Sequence, residues 1–198
     1  MATTQTQRLG IFLALALVMA TTRLHHFDAL PDASWGVFFL AGFWLRGAGR
    51  WAFPLLMAGA VLVDFVVITQ QGANFWSHYC VSPAYWCLLG AYGALWLGGS
   101  WLARRQLGLR LPTLGLAAAA LLASEAACYL ISNGSFYWLS DSVPAPRSMG
   151  AWLVNLGDWY LPFLGTTVLY VGIGALLHVM VLQLVRTRGQ AAQQPLQR

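Results

Sequence analysis

The sequence predicts an all-α integral membrane protein, a single domain of six transmembrane helices with both termini in the cytoplasm. Three observations carry that reading. Of the 198 residues, 59% are hydrophobic and only 9% are charged, with a mean hydropathy of +0.62; a soluble domain is about 25% charged. The apolar residues are gathered in long runs parted by short polar stretches, and a membrane span needs roughly 20 such residues. Finally, the formal charge of +5 is carried by arginine alone, and it is sorted. With the N-terminus inside, Arg8, Arg46, Arg50, Arg104, Arg105, Arg110, Arg186, Arg188 and Arg198 fall in inner segments, leaving Arg23 and Arg147 outside. Short cytoplasmic loops hold the excess of basic residues, so nine of eleven arginines agree with one orientation.

The elements follow in order. A polar lead, 1–8, precedes the first span at 9–24. An apolar run behind Arg8 is similar to a secretory signal, but no small-residue cleavage site follows, and a retained helix is expected. On it, Ala16 and Ala20 form a small-xxx-small pair that permits close approach of another helix. The polar loop 23–33 holds Pro31 and an N-cap at Asp32 or Ser34. The second span, 33–45, is the shortest and weakest. Arg46–Arg50, RGAGR, reads as a tight glycine turn, and the third span, 51–69, carries Asp64. The fourth, 83–103, opens on Pro83, which suits a first helical turn. The fifth, 112–132, is rich in Ala and Leu and carries Glu125. Residues 133–150 are expected to form a loop bearing Phe136, Tyr137 and Trp138. The last span, 151–185, contains Asp158, Pro162 and His178. From Arg186 the chain is polar and expected to lack structure; the membrane domain is placed at 1–188 and a cytoplasmic tail at 189–198.

Function classes narrow at once. No Arg-rich helix or aromatic-interleaved basic patch points to nucleic acid, and no GxxxxGK[ST] loop points to ATP hydrolysis by this chain. The inner loops hold arginine and glycine and little else. The outer loops, 23–33, 70–82 and 133–150, hold His25, His26, Asp28, Asp32, His78, Cys80, Asp141 and Arg147, with Trp76, Tyr79, Tyr137 and Trp138. Recognition chemistry is therefore expected on the outer face. Asp64, Glu125 and Asp158 all fall in the outer half of their spans. Ionisable groups there are functional candidates, although pairing with Arg23, protonation, or for Asp158 the helix dipole, would account for them structurally.

Cys87 and Cys128 lie in apolar runs and read as small buried hydrophobes. Cys80 alone lies in a polar loop, two residues from His78. Three readings stand for it: an incidental thiol, a nucleophile with His78 as base but no adjacent orienting carboxylate, or a metal ligand. A structural zinc site wants four ligands at recognisable spacing, and the segment supplies two. One thiolate suffices where the metal arrives already chelated, as in haem or a corrin.

Six short spans, ligand-type residues gathered outside and the segment Ser77-His78-Tyr79-Cys80 together resemble the BtuM-type vitamin B12 (cobalamin) transporters, relatives of the S-components of energy-coupling factor (ECF) transporters. The resemblance covers the chain from Leu9 to about Arg188. It implies an S-component-like bundle of the bacterial inner membrane that takes up cobalamin from an outward-facing pocket. Cys80 would be the axial ligand of the corrin cobalt, which the vitamin itself supplies, with no dedicated protein metal site. Ala16 and Ala20 would dock an ECF coupling module with its ATPases, beside membrane lipid. A corrin needs partners for its amides and cover for its faces. Asn74, Tyr79, Tyr85, Asp141 and Arg147 are expected to meet the amides and Trp76, Tyr137 and Trp138 the ring, with His78, Asp64 and Glu125 as further pocket candidates. Thiolate ligation would weaken the bond to an upper cyanide and aid its loss, a side chemistry of a transporter. The alternatives are a membrane thiol enzyme using Cys80 and His78 at the outer surface, and a structural membrane subunit.

Overall fold

The computed structural model describes residues 4–24, 31–78, 81–105, 108 and 110–193, with side chains to 188. Among them every regular element is helical: α1 (Gln5–Leu24), α2 (Ser34–Leu45), a 3-10 turn (Arg46–Ala48), α3 (Gly49–Gln70), a second 3-10 turn (Phe75–Ser77), α4 (Pro83–Trp86), α5 (Leu88–Arg104), α6 (Leu111–Leu139) and α7 (Met149–Gln193). Four described stretches are long and apolar enough to cross a membrane: Gln5–Leu24, Ser34–Gln70, Leu111–Leu139 and Met149–Arg188. Cys80 and Tyr79 lie outside the described residues, as do His25, His26 and Asp28.

The shortest expected span is the hub. α2 has twelve residues, and ten of them are buried. It is apolar on every side, the pattern of a helix enclosed by others. α5 runs parallel to it in backbone contact. A methyl group on Gly42 would overlap the carbonyl of Trp96, and one on Gly99 would overlap the carbonyl of Phe39. Ser100 Oγ donates to the Gly42 carbonyl at 3.0 Å, and the Phe38 and Tyr92 rings stack with centroids 4.4 Å apart. On its other side α2 meets α7, where a methyl group on Gly36 would press on Tyr170 and one on Gly174 on Leu40. Further down, Trp44 Nε1 donates to His178 Nδ1 at 3.3 Å. α1 packs on α3 through Phe12 and Trp51, whose ring centroids lie 5.2 Å apart. α6 is seated on α5 at Gly98, where an added methyl group would overlap the Ser124 side chain.

Four expectations are corrected. RGAGR is a 3-10 turn running straight into α3, with Gly49 at φ −55°. Its glycines supply room, Gly47 beside the Arg8 guanidinium and Gly49 against the Trp96 ring. The fourth span is broken at Cys87 into α4 and α5, although it does start at Pro83. α6 continues to Leu139 through residues read as loop. Asn133 is what carries it: its Nδ2 donates to Asn155 Oδ1 at 2.8 Å, and its Oδ1 accepts from Trp152 Nε1 at 3.0 Å. Tertiary partners thus meet the amide that would otherwise compete with the helix. Finally, α7 runs past Arg186 to Gln193, because Arg, Gln and Ala are good helix formers that extend turns already made, past Thr187 and Gly189.

The backbone contact yields a paired test. Gly99→Ala should cost about 1–3 kcal/mol through overpacking and lower the midpoint of thermal unfolding in detergent. Gly93→Ala on the same helix, where nothing lies within 4 Å of the added methyl, should leave it unchanged or raise it slightly.

Candidate functional site

α1 ends by carrying an arginine into the bundle. The Arg23 side chain is only 10% exposed, and a guanidinium so buried is tolerated only when its donors are met. Asp64 of α3 takes a bidentate pair, from Nε at 2.5 Å and from Nη2 at 2.7 Å. Nη1 donates to Asp32 at 3.0 Å, to Ser34 Oγ at 3.0 Å and to the Tyr92 phenol at 3.2 Å. The acceptors are themselves satisfied. Tyr85 donates to Asp64 at 2.6 Å. Asp32 Oδ1 accepts from the Ser34 amide at 2.9 Å and its hydroxyl at 2.6 Å, just ahead of α2, whose N-cap is Ala33 rather than the expected Asp32 or Ser34. The ends of α1, α2, α3, α4 and α5 therefore meet in one hydrogen-bonded cluster. Pairing of Asp64 with Arg23, one of the readings open from sequence, is what the structure contains.

Above the cluster opens a cleft of about 210 Å³. Arg23 and Asp64 form its base; Val67 and Ile68 come from α3 and Gln71 from its C-cap, Ala84, Tyr85 and Leu88 from α4 and α5, Ser132 and Phe136 from α6, and His78 from the loop. A second cleft, about 430 Å³, lies between the 76–83 segment and Asp141–Ser142. His78 lines both, so the two adjoin at that residue. The wall chemistry combines a guanidinium–carboxylate pair, phenol, amide, hydroxyl and imidazole with aliphatic and aromatic surface. That mixture suits a ligand with polar edges and apolar faces. Among the described residues no three His, Cys, Asp or Glu side chains gather as a metal site.

The sequence-derived candidates divide. Asp64, His78 and Tyr85 line the first cleft, and Trp76, His78 and Asp141 the second. Asn74 accepts from the Trp76 amide at 2.9 Å, capping the 3-10 turn that presents Trp76. Tyr137 donates to the Ser148 carbonyl at 3.1 Å, and Trp138 packs edge-on against Tyr137 and Trp152. Arg147 holds its own loop, donating to the carbonyls of Trp138, Ser140 and Val143. Glu125 is fully buried outside both clefts, and Asp158 is exposed. Ala16 and Ala20 are half-buried, beside exposed Leu13 and Leu17. Cys80 and Tyr79 are outside the described residues; their chain neighbours His78 and Val81 line the second cleft. Sequence reasoning missed Gln71, Tyr92, Ser132 and Phe136. Tyr92 carried one signal, a phenol within an otherwise apolar run.

Removing one partner of a buried pair leaves an uncompensated charge, at a cost of about 3–5 kcal/mol. Asp64→Leu and Arg23→Leu should therefore each lower the unfolding midpoint sharply, while the two combined should recover much of the loss. Additive effects across this double-mutant cycle would show that the pair is not coupled. Compared with protein-family models and with curated proteins, the chain matches none.

Proposed function

We propose that this chain is a six-span protein of the bacterial inner membrane, with both termini cytoplasmic, that binds cobalamin at the cleft-bearing end of the bundle and carries it inward. Cys80 is the axial ligand of the corrin cobalt in this reading. The observation that carries it is the pair of clefts meeting at His78, two residues from Cys80, with hydrogen-bonding groups and aromatic surface on their walls. The sorting of the arginines supports the orientation. The succession α1, α2, α3, α4–α5, α6, α7 supports six crossings. The resemblance of the Ser77–Cys80 segment to the B12 transporters supports the corrinoid.

A corrinoid is larger than either cleft. On this reading the 71–82 and 140–148 segments separate as it enters, and the arrangement described above is the closed one. Thiolate donation to cobalt weakens the bond to a cyanide on the opposite axial position, so cyanocobalamin would lose its cyanide faster when bound. Docking of an ECF coupling module belongs to the same proposal, with Ala16, Ala20 and the exposed Leu13 and Leu17 of α1 as its surface.

Two experiments test this. Purified protein mixed with cobalamin should change the corrin's visible spectrum, and Cys80→Ser should abolish that change and weaken binding about tenfold or more, about 1.4 kcal/mol. An identical shift in the variant removes Cys80 from the cobalt; a wild-type protein that leaves the spectrum and the free vitamin unchanged overturns the cobalamin reading. For orientation, cysteines are introduced one at a time as Ser142→Cys and Gly47→Cys, with the three native cysteines replaced by serine. A membrane-impermeant maleimide applied outside spheroplasts should label the first and spare the second.

A further inference from the structure

Glu125 is the single glutamate of the chain and has an unusual setting. Its side chain is 0% exposed, and both carboxyl oxygens are buried without a hydrogen-bond partner. It lies seven residues before Ser132, which places it on the same face of α6 about 10 Å beneath the first cleft. Its neighbours offer little relief. Ser124 Oγ is spent on the carbonyls of Ala120 and Leu121, at 2.8 and 3.2 Å. The Cys128 thiol is one turn away and 0% exposed, with the Tyr92 phenol of α5 beside it. Tyr129 donates to the Leu156 carbonyl at 2.9 Å. The Tyr160 phenol of α7 is the one polar side chain within reach of the carboxyl, and it falls short of a well-formed hydrogen bond. The described cations nearest the clefts are held elsewhere, Arg23 by Asp64 and Asp32, Arg147 by loop carbonyls. An ionised carboxylate buried so completely, with no counter-charge beside it among the described residues, is strongly disfavoured.

α7 is the covering helix least committed to the core. Of its residues with described side chains, only Thr167 and Gly174 are buried. Parting it from the outer half of α6 breaks the polar contacts of Asn133 with Asn155 and Trp152 and of Tyr129 with Leu156, together with the ring contacts of Tyr129 with Tyr160 and Phe163 and of Trp138 with Trp152. It would admit water to Glu125.

We propose that Glu125 is a proton-binding site that couples uptake to proton movement: it holds a proton as the neutral acid in the closed bundle and releases it when the α6–α7 seam opens. The inference rests on the uptake reading for its purpose. In the step itself the carboxyl O–H bond breaks, the proton passes to water, and the carboxylate left behind is hydrated; closing reverses this. Closing therefore takes up a proton, so acid favours the closed bundle and rising pH favours the open one. Over the range in which closed and open forms differ in proton content, the open-to-closed ratio changes up to about tenfold per pH unit.

Neither test uses cobalamin, so failure of the corrinoid reading and failure of this one are separable. Wild-type chain is prepared with glutamate carrying a heavy-carbon label at its carboxyl. Because Glu125 is the single glutamate, any protonated-carboxyl infrared band that the label moves belongs to it. Such a band is expected at neutral pH; if the label moves only a carboxylate band, the proposal is overturned. Opening is then read from the alkylation rate, by N-ethylmaleimide, of a cysteine introduced as Gly134→Cys against Trp152 of α7, with the three native cysteines replaced by serine, with and without Glu125→Gln. That thiol lies about 14 Å along α6 from position 125, so its own pH response is common to both proteins and cancels in their ratio. That ratio should climb with pH by up to about tenfold per unit. A flat ratio removes the coupling.

Discussion

Arg23 brings a permanent charge into the bundle at the end of α1, and the arrangement of five helix ends answers to it. Its guanidinium cannot lose its proton, so the chain surrounds it with two carboxylates, a hydroxyl and a phenol. Those acceptors come from positions 9 to 69 residues away, which makes the cluster a long-range constraint rather than a local turn. Meeting it brings the start of α2 beside the late turns of α3 and the start of α5. The base of the first cleft is the upper surface of that cluster, so what holds the bundle together also supplies the polar floor of the site.

A second constraint acts at the level of backbone. α2 and α5 approach until glycine is required on each. That closeness lets a twelve-residue helix serve as a hub: side chains that would have kept the helices apart are missing, and the rings of Phe38 and Tyr92 fill the space just above. Small residues play this part inside membranes, where hydrocarbon-to-hydrocarbon contact gives helices no preference for one another over lipid.

The helical runs, their order and the apolar class were legible because hydropathy reports them directly. The Arg23–Asp64 pair could be named as one possibility from charges at compatible depths. The central place of α2 could not, since the same composition fits a short, uncertain span and an enclosed core helix. Asn133, Gly134 and Ser135 read as loop, and only a partner 22 residues away turns them into helix. The site was half legible. His78, Trp76 and Asp141 stood out as polar or aromatic residues of the outer loops, Asp64 as an acid inside an apolar run and Tyr85 as a phenol at the start of one. Gln71, Ser132 and Phe136 join them only because three helices converge, which no spacing along the chain announces.

The length of α7 has one more consequence. Its 45 residues measure about 68 Å at 1.5 Å per residue, far more than the roughly 40–45 Å of a bilayer with its headgroups. Trp159, 54% exposed, and Arg186 are residues of the kind that anchor at interfaces. They are separated by about 40 Å of helix, which matches the bilayer. With those anchors the turns before Trp159 stand clear of the lipid, and the matching end of α6 stands with them through Asn133 and Tyr137. The second cleft then sits on a parapet above the headgroups and opens to solution rather than sideways to the bilayer.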